Sequence, residues 1–216
     1  MTPIRIAIVG VGNCASALLQ GIHYYSQTRS QSNGLLHSQI GGYRPSDLQV
    51  VAAFDVDARK VGRPLEVACL APPNCTTQFI PRFPRYGVRV QMGPVLDGVA
   101  PHMRRYPPEQ TFVVSNARPV NVANVLKQRR AEVLLNYLPV GSERATEAYA
   151  IACLTARVSL INCIPVFIAS NPRWAKRFSE RGIPLIGDDV KGQVGATILH
   201  RTLASLFKER GAVLDR

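Results

Sequence analysis

The 216-residue chain reads as an α/β protein with a doubly wound, mainly parallel sheet. Three observations predict it. Short apolar, β-type runs alternate with stretches of helical period. The runs end repeatedly in Gly, Pro, Asn or Asp. The first run passes through a glycine turn directly into an amphipathic stretch. Strands separated by helices need crossover connections, and these make neighbouring strands parallel and right-handed in sequence.

Residues 4–9 are apolar and β-rich and stop at Gly10, which predicts the first strand. From Asn13 to Tyr25, Ala17, Leu18, Gly21 and Ile22 recur at helical spacing. Residues 26–48 are rich in Ser, Gln, Gly and Asn and predict a long loop. Residues 48–54 form the second strand, ending at Asp55. Residues 70–110 hold many of the prolines, including Pro72-Pro73 and Pro107-Pro108, and predict irregular structure crossing the sheet. Residues 111–114 predict a third strand, and Pro119 a helix from its first turn to about Arg130. Residues 132–136 are the next strand. Ser142 with Glu143 opens a helix through Leu154, and residues 158–161 are strand again. Asn171 as cap and Pro172 at the first helical position start a helix to Arg181. Residues 183–186 are the last strand. Residues 197–210 follow as a helix with Ile198, Leu199, Leu203, Leu206 and Phe207 on one face, ended by Gly211.

Composition narrows the classes. Hydrophobic content of 46% and charged content of 19% describe an ordinary globular domain able to bury a core. No apolar run reaches the ~18 residues of a membrane span. The formal charge of +12 raises nucleic-acid binding, but the arginines are scattered and no basic run or nucleic-acid motif occurs. A basic surface also steers anionic substrates. Five cysteines, Cys14, Cys69, Cys75, Cys153 and Cys163, are odd in number and lack metal-ligand spacing. Reduced thiols in a cytoplasmic protein and no metal site are the expectation.

Gly10-Val11-Gly12-Asn13-Cys14-Ala15 lies where a dinucleotide fingerprint belongs, after the first strand and at the start of the first helix. Gly10 permits the turn, Gly12 lets the backbone approach a pyrophosphate, and Ala15 keeps helix and strand close. Free N–H groups and the helix dipole favour the phosphates. Asp55, at the end of the second strand, suits the adenosine ribose hydroxyls and repels a 2′-phosphate, which favours NAD over NADP. It lies about twice the usual distance along the chain from Gly12, and the loop at 26–48 accounts for the gap. A cap for a helix after Asp57 is the alternative role of Asp55. The turns at Ser115, at Pro139 to Glu143 and at Pro165 lie at the same sheet edge, as does Gly187-Asp188-Asp189-Val190-Lys191. Solvated turns and cofactor-lining loops are both open at that point.

Taken together, several segments resemble the myo-inositol-1-phosphate synthase family in its shorter bacterial and archaeal form. They are Gly10-Val-Gly-Asn-Cys-Ala-Ser16, Ala52-Ala-Phe-Asp-Val-Asp57, Gly93-Pro-Val-Leu-Asp-Gly98, Tyr137-Leu-Pro-Val-Gly-Ser-Glu143, Pro165-Val-Phe-Ile-Ala-Ser170 and Gly187-Asp-Asp-Val-Lys191. The resemblance implies a single NAD-binding, Rossmann-like domain over 1–216, with irregular insertions at about 26–48 and 70–110. It implies NAD-dependent isomerisation of glucose 6-phosphate to inositol 3-phosphate: oxidation at C5, enolisation, aldol closure of C6 on C1, and return of the hydride. Carried over by position, Gly10, Val11, Gly12, Asn13 and Cys14 hold the pyrophosphate and Asp55 the ribose. Ser115, Pro139, Gly141 and Pro165 lie along the cofactor, and Asp188 and Asp189 at its nicotinamide end. Asp189 and Lys191 are the candidate catalytic residues, with a surface lysine the alternative for Lys191. The family's chains continue past the position of Arg216 with the tetramerisation and catalytic part and its phosphate-binding lysines. The expectation is therefore a truncated synthase, one piece of a split one that works as a homo-oligomer or with a partner chain, or a non-catalytic NAD-binding module.

Overall fold

The computed structural model describes residues 2–27, 33–99, 103, 105–190 and 196–213. Its centre is a six-stranded, all-parallel sheet in the order β3-β2-β1-β4-β5-β6. The strands are β1 (Ile4–Val9), β2 (Leu48–Asp55), β3 (Val90–Met92), β4 (Val133–Asn136), β5 (Ser159–Asn162) and β6 (Leu185–Ile186). Helices α1 (Asn13–Gln27), α2 (Leu65–Ala68), α3 (Val122–Gln128), α4 (Glu143–Ala156), α5 (Pro172–Ser179) and α6 (Ala196–Glu209) connect or follow them. Strand order reverses between β1 and β4, which opens a crevice at the carboxyl edge of the sheet, the usual ligand position in this architecture.

The central strands are buried on both faces, so their sequences are continuously apolar rather than alternating. Ala7, Val9 and Leu134 point into one core with α3, α4, Trp174 and Phe178. Ile6, Ile8 and Leu135 point into the other with Ala15, Leu19, Leu65 and Phe83. Register between β1 and β2 shifts between Ile6 and Ala7, where partners pass from Val50 to Ala52 and leave Val51 as an extra residue. The bulge moves the outer part of β2 by one place and sets the faces of Ala53, Phe54 and Asp55.

Three sequence expectations need correction. Residues 111–114 form no strand; Val114 makes one antiparallel bridge with Asp57. The third strand is β3 instead, hidden in the proline-rich stretch and only three residues long. It pairs with β2 because the chain from Gly62 to Leu65 hydrogen-bonds it at the other side, through Gly62 N–H to Val90 O and Leu65 N–H to Val88 O. The helix expected from Pro119 starts three residues later, capped by Asn121, whose side chain accepts from the Asn124 N–H at 3.0 Å. The helix opened by Ser142 and Glu143 is as expected, although the Ser142 hydroxyl donates back to Pro139 O and caps nothing. Asp97, from the 93–98 loop, takes over, accepting the N–H groups of Arg144 at 2.6 Å and Ala145 at 2.9 Å. A carboxylate from a distant loop satisfies orphan donors and the helix dipole as well as a local cap does. The Asn171 cap and Pro172 start of α5 are as expected, with Asn171 Oδ1 accepting from Arg173 N–H at 3.0 Å.

Candidate dinucleotide site

The glycine turn after β1 is shaped by close approach. Gly10 has φ 84°, and a Cβ there would lie 2.4 Å from the carbonyl oxygen of Tyr137, at the end of β4. Only glycine fits both constraints. Gly12, two residues on, has open space where its Cβ would be. The Gly10 N–H donates to Phe54 O at 3.0 Å, tying the turn to the end of β2.

Over this turn lies a cavity of about 510 Å³. Gly10, Gly12, Asn13 and Cys14 form its floor, Asp55 and Lys60 one end, and Leu138 with Pro139 one side. Two excursions from the irregular stretch close it. Residues 73–75 arch over the start of α1: Cys75 N–H donates to Asn13 Oδ1 at 3.0 Å, Asn13 Nδ2 donates to Cys75 Sγ at 3.1 Å, and Thr76 Oγ1 donates to Asn13 O at 3.1 Å. Residues 94–99 form the opposite wall, held to α4 by Asp97. The size suits a drug-sized or nucleotide ligand rather than a small ion.

Asp55 is buried, and its carboxylate organises the turn. Oδ2 accepts from Val11 N–H at 2.8 Å; Oδ1 accepts from Val56 N–H at 2.7 Å and Asp57 N–H at 2.9 Å. The Lys60 ammonium lies 3.8 Å from Oδ2. Asp57, two residues on, is fully buried and bonds Arg59 through both carboxylate oxygens and the Val113 N–H. Burial pushes the Asp57 carboxyl up, but the Arg59 side chain and these N–H groups outweigh it and hold it below the ordinary value. The neighbouring acids thus divide two tasks. Asp57 closes a structural turn, while Asp55 faces the cavity.

At the far end of the sheet edge, Asp188 has a different environment. It accepts from Ile168 N–H at 3.1 Å, Ala169 N–H at 2.9 Å, Ser170 N–H at 3.0 Å, Ser170 Oγ at 2.7 Å and Asn162 Nδ2 at 2.8 Å. Burial raises its carboxyl pKa, and the Asn162, Ser170 and Ala169 donors more than reverse this, so it stays ionised below the usual range. Asn162 continues inward to Asn136, whose Nδ2 donates to Asn162 Oδ1 at 2.8 Å and to Thr146 at 3.2 Å. A buried amide ladder therefore links the ends of β4 and β5 to the Gly187-Asp188 turn. Gly187 packs against it so closely that a Cβ would sit 3.0 Å from Asn162 O. Asp189 is exposed at φ 72°, with Oδ1 accepting its neighbour's N–H at 2.8 Å.

The residues singled out from sequence divide accordingly. Gly10, Gly12, Asn13, Cys14, Asp55 and Pro139 line this cavity together. The side chain of Val11 is buried and its N–H is committed to Asp55. Ser115 turns its hydroxyl to the Ala117 N–H, Gly141 bends the chain into α4 at φ 88°, and Pro165 is exposed; these three do not line the cavity. Asp188 and Asp189 also lie off it. Lys191 lies outside the described residues. Sequence reasoning missed Lys60, Tyr149 and the 73–75 arch. The one available signal was Lys60, placed five residues after Asp55 in a turn that Asp57 was bound to close.

No protein-family model matches the chain. Curated relatives match it end to end: inositol-3-phosphate synthase of Corynebacterium glutamicum is 49% identical over 215 residues, 99% of this chain and 58% of that protein. The Mycolicibacterium smegmatis protein of the same name is 50% identical with the same coverage. This chain is a homologue of the inositol-3-phosphate synthases. It spans somewhat more than half the length of the curated relatives it matches. Among solved structures, Ari2 superposes with a TM-score of 0.82 and 37% identity, covering 97% of this chain and 61% of that one. A myo-inositol-1-phosphate synthase-related protein of Thermotoga maritima, at 19% identity and TM-score 0.70, shares the fold. No helix of the described residues is long and apolar enough to cross a membrane.

Proposed function

We propose that this chain is the dinucleotide-binding part of an NAD-dependent inositol-3-phosphate synthase acting on glucose 6-phosphate. The observation that carries the reading is the glycine turn at the end of β1, opening on a 510 Å³ cavity that Asp55 bounds from the next strand. The names of the curated homologues support the product class, an inositol phosphate. Bound NAD would supply a hydride acceptor that returns the hydride later in the same cycle, so the net reaction is an isomerisation.

The residues present fit that cofactor. Gly10 and Gly12 leave room that any side chain would fill or strain, which suits close approach of a pyrophosphate. The N–H groups at the start of α1 and the helix dipole face the same point. Asp55 and Lys60 stand at the end where an adenosine ribose would lie. Pro139 and Leu138 cover an apolar stretch between them. The Asn136–Asn162–Asp188 ladder holds the Gly187 turn at a fixed height beside the edge, and Asp189 would stand there as the acid–base group closest to the sugar. Cys163, whose thiol burial pushes up to about 11, donates to Ile161 O and stays uncharged. Completion of the reaction needs cationic groups for the sugar phosphate and the developing enolate. These belong, on this reading, to the remaining 42% of the relatives' length.

Calorimetric titration with NAD, and an inositol phosphate assay on the same sample, test the proposal. The expected result is saturable NAD binding without turnover of glucose 6-phosphate by these residues alone. Absence of NAD binding sinks the cofactor reading. Turnover by this chain alone refutes the placement of the phosphate and enolate groups elsewhere.

A further inference from the structure

The carboxylate of Asp55 is nearly saturated before any ligand arrives. Three backbone N–H groups occupy it, and a carboxylate offers about four acceptor positions. It has little capacity left for two ribose hydroxyls. Next to it stand two polar side chains to which the turn makes no hydrogen bond. The Lys60 side chain is 2% exposed, lines the cavity and lies 3.8 Å from Asp55 Oδ2, an ion-pair distance too long for a hydrogen bond. Tyr149, 2% exposed, lines the same end, and among the described residues its hydroxyl has no hydrogen-bond partner. Gly93 leaves space for that hydroxyl, since a Cβ there would meet it at 2.2 Å. The neighbouring cation, Arg59, is not available, because its guanidinium is fastened to Asp57, Pro108 O and Thr111 O.

Why Lys60 sits there is legible in the backbone. Lys60 and Val61 N–H groups both donate to Asp57 O, and Gly62 at φ 79° turns the chain onto β3. This curl returns the lysine stem to the strand end five residues earlier. A fully buried ammonium is retained only where a charge or a ligand compensates it.

We propose that Lys60 is a specificity-determining residue of this cavity, and that Asp55 selects NAD by masking it. With both charges present the pair is neutral, and the ribose hydroxyls meet Asp55, the lysine N–H donors and the Tyr149 hydroxyl. A 2′-phosphate would meet the Asp55 carboxylate directly. With the carboxylate neutralised, the same lysine is an unpaired buried point charge, the chemistry that binds a phosphate monoester. The cavity therefore holds a latent 2′-phosphate site. This inference rests on the dinucleotide reading above.

The test measures dissociation constants for NAD and NADP on the full chain and three variants. Asp55→Asn is expected to lower the NADP-to-NAD ratio of dissociation constants at least tenfold. Adding Lys60→Met to it is expected to return the ratio to within about threefold of the parent. Lys60→Met alone is expected to raise the ratio at least threefold, and it decides the matter should Asp55→Asn fail to fold. An unmoved ratio in Asp55→Asn, or a gain that survives Lys60→Met, overturns the proposal while leaving NAD binding by the parent intact. A parent that binds neither nucleotide overturns the dinucleotide reading and this inference with it.

Discussion

Two aspartates, Asp55 and Asp188, stand at the carboxyl edge of the same parallel sheet, each beside a glycine turn, and they do opposite things. Asp55 takes three backbone N–H groups yet still faces a cavity and a lysine. Asp188 takes donors from three consecutive residues and from Asn162, and lies off the cavity. The difference lies in what packs above each turn. Over Asp55 the 73–75 arch and the 94–99 loop stand away and enclose space. Over Asp188 the 166–170 loop closes down until its own N–H groups are satisfied. A carboxylate at a strand end is therefore a site only where the covering loop is held elsewhere, here by Asn13 and by the α4 terminus.

The contrast predicts a graded set of outcomes. Asp188→Ala should cost the most stability, about 3 kcal/mol, because it strands several N–H donors in a half-buried turn. Urea denaturation checks it, and a change under 1 kcal/mol would remove Asp188 from the structural role. Gly10→Ala should come next, at about 2–3 kcal/mol, since the added methyl meets the Tyr137 carbonyl at 2.4 Å on a backbone of positive φ. It should also abolish NAD binding in the folded fraction, whereas Asp188→Ala should leave affinity within a few-fold. Asp55→Ala should weaken NAD binding by about 1–2 kcal/mol, the scale of hydrogen bonds to a charged group. An unchanged affinity would make Asp55 as purely structural as Asp188. Cys75→Ser should have the smallest effect, under about 0.5 kcal/mol in melting experiments, because the backbone bond from Cys75 to Asn13 persists.

Acid sharpens the same comparison. The Asp188 carboxyl titrates below its ordinary value of 3.8 in the folded chain. Its contribution is thus fully present above that unfolded value and is lost as pH falls through the lower folded one. Stability measured from pH 6 down to pH 2 should fall less steeply for Asp188→Asn than for the parent, with the divergence confined to the region around and below 3.8. Parallel curves would show that the hydrogen bonds do not favour the ionised form.

The parallel α/β class, the glycine turn, the helix start at Asn171-Pro172 and the Gly10, Gly12, Asn13, Cys14 and Asp55 part of the cavity lining were all legible in the residues themselves. Each rests on local physics: apolar periodicity, a conformation open to glycine alone, a side-chain cap. The short strand β3 was not, because three residues carry too little periodicity and it forms only where β2 and the Gly62 turn meet it. Residues 111–114 have strand composition but only one bridge partner. Asp97 as the cap of α4 lies 47 residues from Arg144. Lys60 and Tyr149 reach the same cavity from either side of the sheet edge, one on the turn after β2 and the other on α4. Local sequence thus determined most of the elements and the glycine turn that opens on the cavity. Tertiary structure alone decided which carboxylate faces empty space and which buried cation stands beside it, because those depend on loops held in place by residues far away in the chain.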